Sequence, residues 1–302
     1  MPPEARSRGH LNPSSAARVS RFPPLADLAN LIVHFWVPEW NLPRGESSRQ
    51  VVLTYPVVNV VVQPGAPEGD LTVFGPRTRV SYRVLVGSGW GVGALLRPAA
   101  VPAVLALAGL SSASAARALV DECAAIEDPR LVSEVTAAMQ PDASRRASDG
   151  VVGSGSKRPL EAGVEVLATW LRVRLFAAGA PDRDGLLANA LLELLDALPV
   201  GAEHRASELV PRRVADAARL LGTSSRTLER VALAYTGFTP AALIRRRRLQ
   251  EAAERLRCDP TLELAELAQE LGYADHAHLT RDFRQVLGFT PSGYRDRQVF
   301  SD

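Results

Sequence analysis

The sequence predicts an α+β chain: a β-rich N-terminal domain, a helical connecting region, and an all-α C-terminal domain built from two copies of one unit joined by a long helix. Three observations carry this. The tetrapeptide Gly-Phe-Thr-Pro stands at Gly237–Pro240 and again at Gly288–Pro291, 51 residues later. Val-rich alternating runs fill the first third of the chain and then give way to Ala/Leu/Arg helical periodicity. Between the two regimes, residues 141–159 are rich in Ser, Gly, Asp, Arg and Pro and poor in apolar side chains, the composition of a linker.

Length and charge set the frame. A chain of 302 residues can bury two cores. The net charge of +2 says little about partners, but its distribution does. Arg212 to Arg248 holds nine Arg against Asp216 and Glu229, whereas Leu249 to the end holds six Arg against ten acids. A basic stripe therefore sits in the first repeat and the helix that follows it. Lys157 is the single lysine, a composition bias rather than a binding signal. Cys123 and Cys258 lack metal-ligand spacing and read as packed thiols in a reducing compartment. No secretory h-region opens the chain and no apolar run reaches membrane-spanning length, which points to the cytoplasm.

In chain order, residues 1–24 read as a disordered tail. Residues 25–140 read as a β-rich domain with trailing helices: Leu25–Trp40, Val51–Gln63 and Leu71–Val86 are the strand-rich runs, and Leu110–Ala125 and Leu131–Met139 the helical ones. Gly87 to Gly93 has glycine at every second position but does not fit a phosphate loop, because Val92 takes the third glycine's place. It predicts a bent strand that other groups approach closely. After the linker, Leu160–Ala177 and Gly185–Leu198 form helices of a connecting region, 160–206. The C-terminal domain covers 207–302. The break in composition predicts a separate core for each half, so that a fragment starting near Ala202 would fold alone.

Each repeat has the chemistry of two helices meeting at a tight turn. Ala218 and Gly222 in the first copy, and Ala268 and Gly272 in the second, are four apart. The small Ala lets two helices approach, and Gly can take φ > 0 at the turn. The supporting helices are Arg212–Leu221 and Leu262–Leu271. Ser224 or Ser225 can cap the next helix of the first copy, and Asp275 that of the second. Leu228 and Val231 face inward, as do Leu279, Phe283 and Val286. Arg226, Thr227 and Arg230 share the opposite face, as do His276, Ala277, Thr280, Arg281 and Arg284. Arg can hold guanine O6 and N7 as a fork, Thr can donate or accept, and Ala can touch a thymine methyl. Gly237 and Gly288 then end these helices as left-handed caps. Thr239 and Thr290 N-cap the next helices, Pro240 and Pro291 take first positions, and Phe238 and Phe289 fill the corners. A connecting helix over Ala241–Arg257 would hold the units apart. Of the run Arg245–Arg248, at most two side chains can reach phosphate together, which leaves the others to solvent or to Glu251 and Glu254.

These residues carry a resemblance. Residues 207–297 resemble the DNA-binding domain of the AraC/XylS family of bacterial transcription regulators. Leu267 to Arg284 and Gly288 to Arg295 follow the family signature almost throughout. Ser224–Arg230 and Tyr235–Pro240 match in the first half, which departs at Val231–Ala234, where members carry a large aromatic and then basic residues. The resemblance implies double-stranded DNA as partner. Arg226, Thr227, Glu229, Arg230, His276, Ala277, Thr280 and Arg281 would face bases. Arg212, Arg213, Arg245, Arg247, Arg248, Arg284 and Arg295 would face phosphate. RNA polymerase and a second copy of the chain stand open as further partners.

The N-terminal part is similar, more distantly, to the β-rich sensor domain of such regulators, through Val58–Gly65, Val73–Pro76 and Gly91–Pro98. A sensor of this type implies a small-molecule effector, with His34, Trp36, Tyr55, Asn59, Tyr82 and Trp90, and with them Trp40, as candidates to line its pocket. No cofactor or metal is expected: His276 and His278 lack a ligand set around them. Two other readings are weaker. A repair alkyltransferase fused to the same DNA domain needs an activated thiolate, and Asp121 and Glu122 beside Cys123 would raise its pKa. A non-specific architectural DNA protein needs a broad basic surface, which the acidic second repeat interrupts.

Overall fold

The computed structural model describes residues 17–52, 56–110, 115–140, 157–196 and 211–299. The β-rich part begins earlier than the sequence suggests. Residues 17–22, read above as tail, form strand β1 (Ala17–Phe22), which pairs antiparallel along β2 (Ile32–Asn41). Its side chains carry no regular alternation, and the strand exists because β2 offers a long edge. The main sheet runs β1-β2-β8-β4-β5-β9, with β4 at Asn59–Val62, β5 at Leu71–Phe74, β8 at Val92–Leu96 and β9 at Cys123–Ala125. The short β7 (Ser88–Trp90) pairs with β2. β3 (Ser47–Val52) and β6 (Ser81–Val86) make a separate two-stranded ribbon.

Alternation on β2 divides the sheet's two faces. Phe35 and Val37 are buried with Val60, Val62, Val73 and Leu96 beneath helices α1 (Val101–Leu107), α3 (Pro129–Met139) and α4 (Lys157–Ala177). His34, Trp36, Pro38 and Trp40 point to the opposite face. The alternate glycines answer these aromatics. A Cβ on Gly89 would collide with the Trp40 ring and one on Gly93 with the Trp36 ring, so the Gly-rich strand is a seat for two indoles.

The segment Leu110–Ala125 departs from its helical reading. Among its described residues only α2 (Ala115–Ala118) is helical, and Cys123–Ala125 pairs with Thr72–Phe74 as the edge strand β9, so Cys123 is a half-buried strand residue. Alanine periodicity gives way there to the open edge of β5. α3 is N-capped by Asp128, which accepts from the Leu131 amide at 3.0 Å. The same carboxylate accepts from Trp170 Nε1 at 2.7 Å and Arg174 at 2.8 Å, so it also fastens α3 to α4. The linker reading of 141–159 lies almost wholly outside the described residues, but 157–159 already belong to α4.

Two more cores lie in the C-terminal half, and one of them is shared. Leu191, Leu192 and Leu195 of α5 (Arg183–Asp196) pack with Val57 and Leu95 of the β-rich part. They pack equally with Ala217, Leu228, Ala232, Leu243 and Ile244 of the first repeat. The expected separation into two independent cores therefore fails. A fragment from Ala202 would strip α5 from the first repeat and expose its buried leucines to water. The second repeat has its own core, centred on Phe283 with Leu267, Leu279, Tyr294 and Leu256. Among the described residues no helix is long and apolar enough to cross a membrane.

Candidate nucleic-acid interface

The two repeats fold alike because the same residues do the same work in each. In the first, α6 (Val214–Leu220) turns at Gly222 (φ 63°) into α7 (Ser225–Thr236). Ser224 caps α7 by accepting from the Thr227 amide at 3.1 Å. In the second, α9 (Leu264–Glu270) turns at Gly272 (φ 76°) into α10 (His276–Leu287), and Asp275 accepts from the His278 amide at 2.7 Å. That amide holds the Asp275 carboxyl below its ordinary value, which keeps a negative charge at the positive end of α10. Gly237 and Gly288 both end their helices at φ 75°. Thr239 then accepts from Ala242 N at 3.2 Å and Thr290 from Gly293 N at 3.1 Å. These caps start α8 (Pro240–Cys258) and α11 (Pro291–Val299). Phe238 and Phe289 pack against the cores at the corners.

The buried stripes are as expected: Leu228, Val231, Leu279 and Phe283 are fully enclosed. The opposite faces present Arg226, Glu229, Arg230, His276, Ala277, Arg281 and Arg284 to solvent, with Thr227 and Thr280 half-buried at their edges. The first repeat's departure at Val231–Ala234 lies within α7. α5 and α2 both lie against α7, and Ala232 packs with the leucines of α5.

α5 brings two acids to α7 that local sequence reasoning did not find. Arg230 Nη1 meets Asp184 Oδ2 at 2.7 Å. The Tyr235 hydroxyl donates to Asp182 at 2.6 Å, and burial, reinforced by this bond, raises the tyrosine's pKa. Close approach is possible because Gly185 stands where a side chain would press on Ala99 and Tyr235. Nothing local marks this contact: Asp182 and Asp184 lie about forty residues before α7, the first just ahead of α5 and the second in its first turn.

The basic run on α8 requires a correction. Arg247 was expected at phosphate, yet it is buried and its Nε donates to the Leu195 carbonyl at 2.9 Å. Arg246 is buried too and donates to the Arg77 carbonyl at 2.7 Å; burial pushes its guanidinium down to about 10, against the pull of Asp121. Arg245 lies 3.8 Å from Asp282, and Arg248 donates to the Arg212 carbonyl at 2.5 Å. Glu251 holds Arg255 at 2.6 Å and Glu254 holds Arg257 at 3.7 Å. Arg295 is half-buried and donates to the Pro260 carbonyl at 3.1 Å, fixing α11 to the turn before α9. Arg212, Arg213 and Arg284 stay exposed.

On the other face of the main sheet lies an open cleft of about 2440 Å³. It brings together His34, Trp36, Asn59, Tyr82 and Trp90, with Trp40 beside them; Tyr55 lies outside the described residues. Trp36 Nε1 donates to Asn59 Oδ1 at 3.3 Å. Burial, helped by Arg21, pulls His34 down to about 4, so its ring is neutral near pH 7. The far wall is α8, through Arg247, Gln250, Glu254 and Arg257.

Residues 217–297 match the family described as a helix-turn-helix domain, and residues 20–111 match a domain of unknown function, DUF6597. No curated protein matches the chain. Among solved structures the chain is similar to ToxT from Vibrio cholerae. One ToxT structure is 11% identical with a TM-score of 0.38, covering 93% of this chain and 97% of that one. A second, wild-type ToxT of strain SCE256 bound to an unsaturated fatty acid, is 10% identical with a TM-score of 0.38, covering 94% and 96%. The bound fatty acid belongs to that structure, and at this distance it says nothing about the cleft described above.

Proposed function

We propose that this chain, whose residues 217–297 form a helix-turn-helix domain of the AraC type, is a sequence-specific transcription regulator that reads two successive major-groove segments and takes its input through the N-terminal sheet. One observation carries the reading. Two units with matching caps each turn a polar stripe outward from a closed core, on either side of a single helix of 19 residues. That helix spans about 28 Å, a separation suited to recognition helices that must lie about 34 Å apart on one face of DNA. Arg226, Thr227, Glu229 and Arg230 on α7, with His276, Ala277, Thr280 and Arg281 on α10, are the base-facing set. Arg212, Arg213 and Arg284 are the phosphate contacts. The cleft between the sheet and α8 is the place for a small-molecule effector, because an occupant there would touch both the β-rich part and the helix that spaces the two readers. A cytoplasmic setting follows from the DNA partner. Selection of bound sequences from a random DNA pool by the full chain, followed by footprinting, tests the reading. A bipartite site with half-sites about one helical turn apart is expected, and enrichment of no sequence would overturn it.

Two charge predictions separate the arginines. Arg284→Gln should lower the slope of log K against log salt by about one, since it removes one phosphate contact. Arg247→Gln should leave that slope unchanged, because the side chain is enclosed and satisfied by Leu195. A salt titration of both variants on one operator checks this. The acid on α5 competes with DNA for Arg230, so Asp184→Asn should tighten binding about two- to fivefold at low salt, a small effect in keeping with an exposed pair. Equal affinity in a gel-shift titration would show that Asp184 moves aside at no cost.

A further inference from the structure

The β-rich part touches the DNA-reading domain at the same corner of both repeats. In the first, the C-cap Gly237 lies against α2 and the chain just after it: a Cβ there would stand 2.5 Å from Val120 Cγ2 and 3.0 Å from the Ala116 carbonyl. In the second, the C-cap Gly288 lies against the end of the β5–β6 connection: a Cβ there would stand 3.4 Å from the Tyr82 hydroxyl and 3.9 Å from Val80 Cγ2. Val80 N also donates to the Val286 carbonyl of α10 at 3.1 Å, and Val80 packs on the second repeat's core. Between the corners, the Arg77 carbonyl accepts from Arg246 in the middle of α8. Two segments, 75–82 and 116–122, thus hold both units and their spacer.

Asp121 bonds from one segment to the other through both its backbone and its side chain. Asp121 stands in the left-handed region at φ 64°, alone in this among the non-glycine residues described. Its Oδ1 accepts from Thr78 N at 2.8 Å and its Oδ2 from Thr78 Oγ1 at 2.5 Å. Its amide donates to the Pro76 carbonyl at 3.0 Å, and its carbonyl accepts from the Arg77 guanidinium. Gly75 completes the seam: its amide donates to the Glu122 carbonyl at 3.0 Å, and the Leu119 carbonyl occupies the place of any side chain it might carry.

We infer that Asp121 is a positioning residue: it clasps the segment that touches Gly237 to the segment that touches Gly288, and so fixes the separation and twist of the two recognition helices. This rests on the DNA-reading function proposed above. The physical demand is strict. Each base pair inserted between half-sites turns the second by about 34° and carries it about 3.4 Å along the axis. A rigid pair of readers meets one spacing and loses affinity for others, whereas a loosened pair tolerates several.

The test uses the full chain on an operator recovered by its own site selection, and on the same operator with one or two base pairs inserted. Asp121→Gly keeps the left-handed backbone without strain and removes both carboxylate bonds. Each isolated half-site should bind as in the unaltered chain, while the affinity lost on insertion should shrink by about fivefold or more. Asp121→Asn, which tolerates the same backbone and still offers an acceptor to Thr78, should restore the spacing preference. A folded Asp121→Gly protein with an unchanged insertion penalty would overturn the clasp. If circular dichroism shows that this variant does not fold, Thr78→Val decides: a reduced penalty supports the clasp and an unchanged one overturns it. Failure of the unaltered chain to enrich any DNA would instead remove the function on which the clasp rests.

Discussion

Phe283→Ala should unfold the second repeat before the first. The ring is fully enclosed in the second repeat's core and packs on Tyr294 with centroids 5.9 Å apart. Removing a buried phenyl costs about 3–5 kcal/mol, partly in lost burial and partly in the cavity left behind. The cost falls on one unit, because the first repeat's core is built on α5, α6, α7 and the early part of α8, with Val57 and Leu95 of the β-rich part. Chemical denaturation should therefore gain an early transition, and sites selected by the variant should keep one half-site and lose the other. A single transition at the unaltered midpoint would show that the second core does not rest on this ring.

Arg281→Ala should weaken binding to the selected operator by about 1–3 kcal/mol and relax preference at one base pair, the signature of a lost bidentate contact to guanine. Arg281 is exposed on α10 one turn before Arg284, on the face opposite Phe283. Binding to a panel of single-base variants of the operator separates the roles. Preference lost at one position marks base reading; an equal loss on every sequence marks a phosphate contact and removes Arg281 from the base-facing set. Stability should hardly move, so the two substitutions, two residues apart on one helix, should affect different properties.

Those neighbours show why the reading face was legible in the sequence. A helix turns about 100° per residue, so Leu279, Phe283 and Val286 must share a side and Thr280, Arg281 and Arg284 another, whatever surrounds them. The caps were legible for a similar reason. Glycine alone takes φ near 75° without strain, and Thr-Pro after it satisfies a helix start with its own hydroxyl and a missing amide hydrogen. The aromatic candidates of the cleft came as a group, through the resemblance to a sensor domain; the structure adds that β2 sends Trp36 and Trp40 one way and Phe35 and Val37 the other.

Arg246 and Arg247 were not legible. A run of four arginines reads alike whether it meets phosphate or backbone carbonyls, and its partners, Arg77 and Leu195, come from distant segments. The same holds for β1, which becomes a strand because β2 has an edge to pair, and for α5, whose leucines show that they are buried but not against what. The sequence by itself determined the repeated unit, its caps and its two faces, because these depend on local geometry and helical period. Only the tertiary structure decided which arginines stay exposed and which are buried, that α5 brings Asp184 to Arg230, and that Asp121 joins the two segments lying against the repeats. Those outcomes depend on contacts between segments tens to more than a hundred residues apart, and no local period records them.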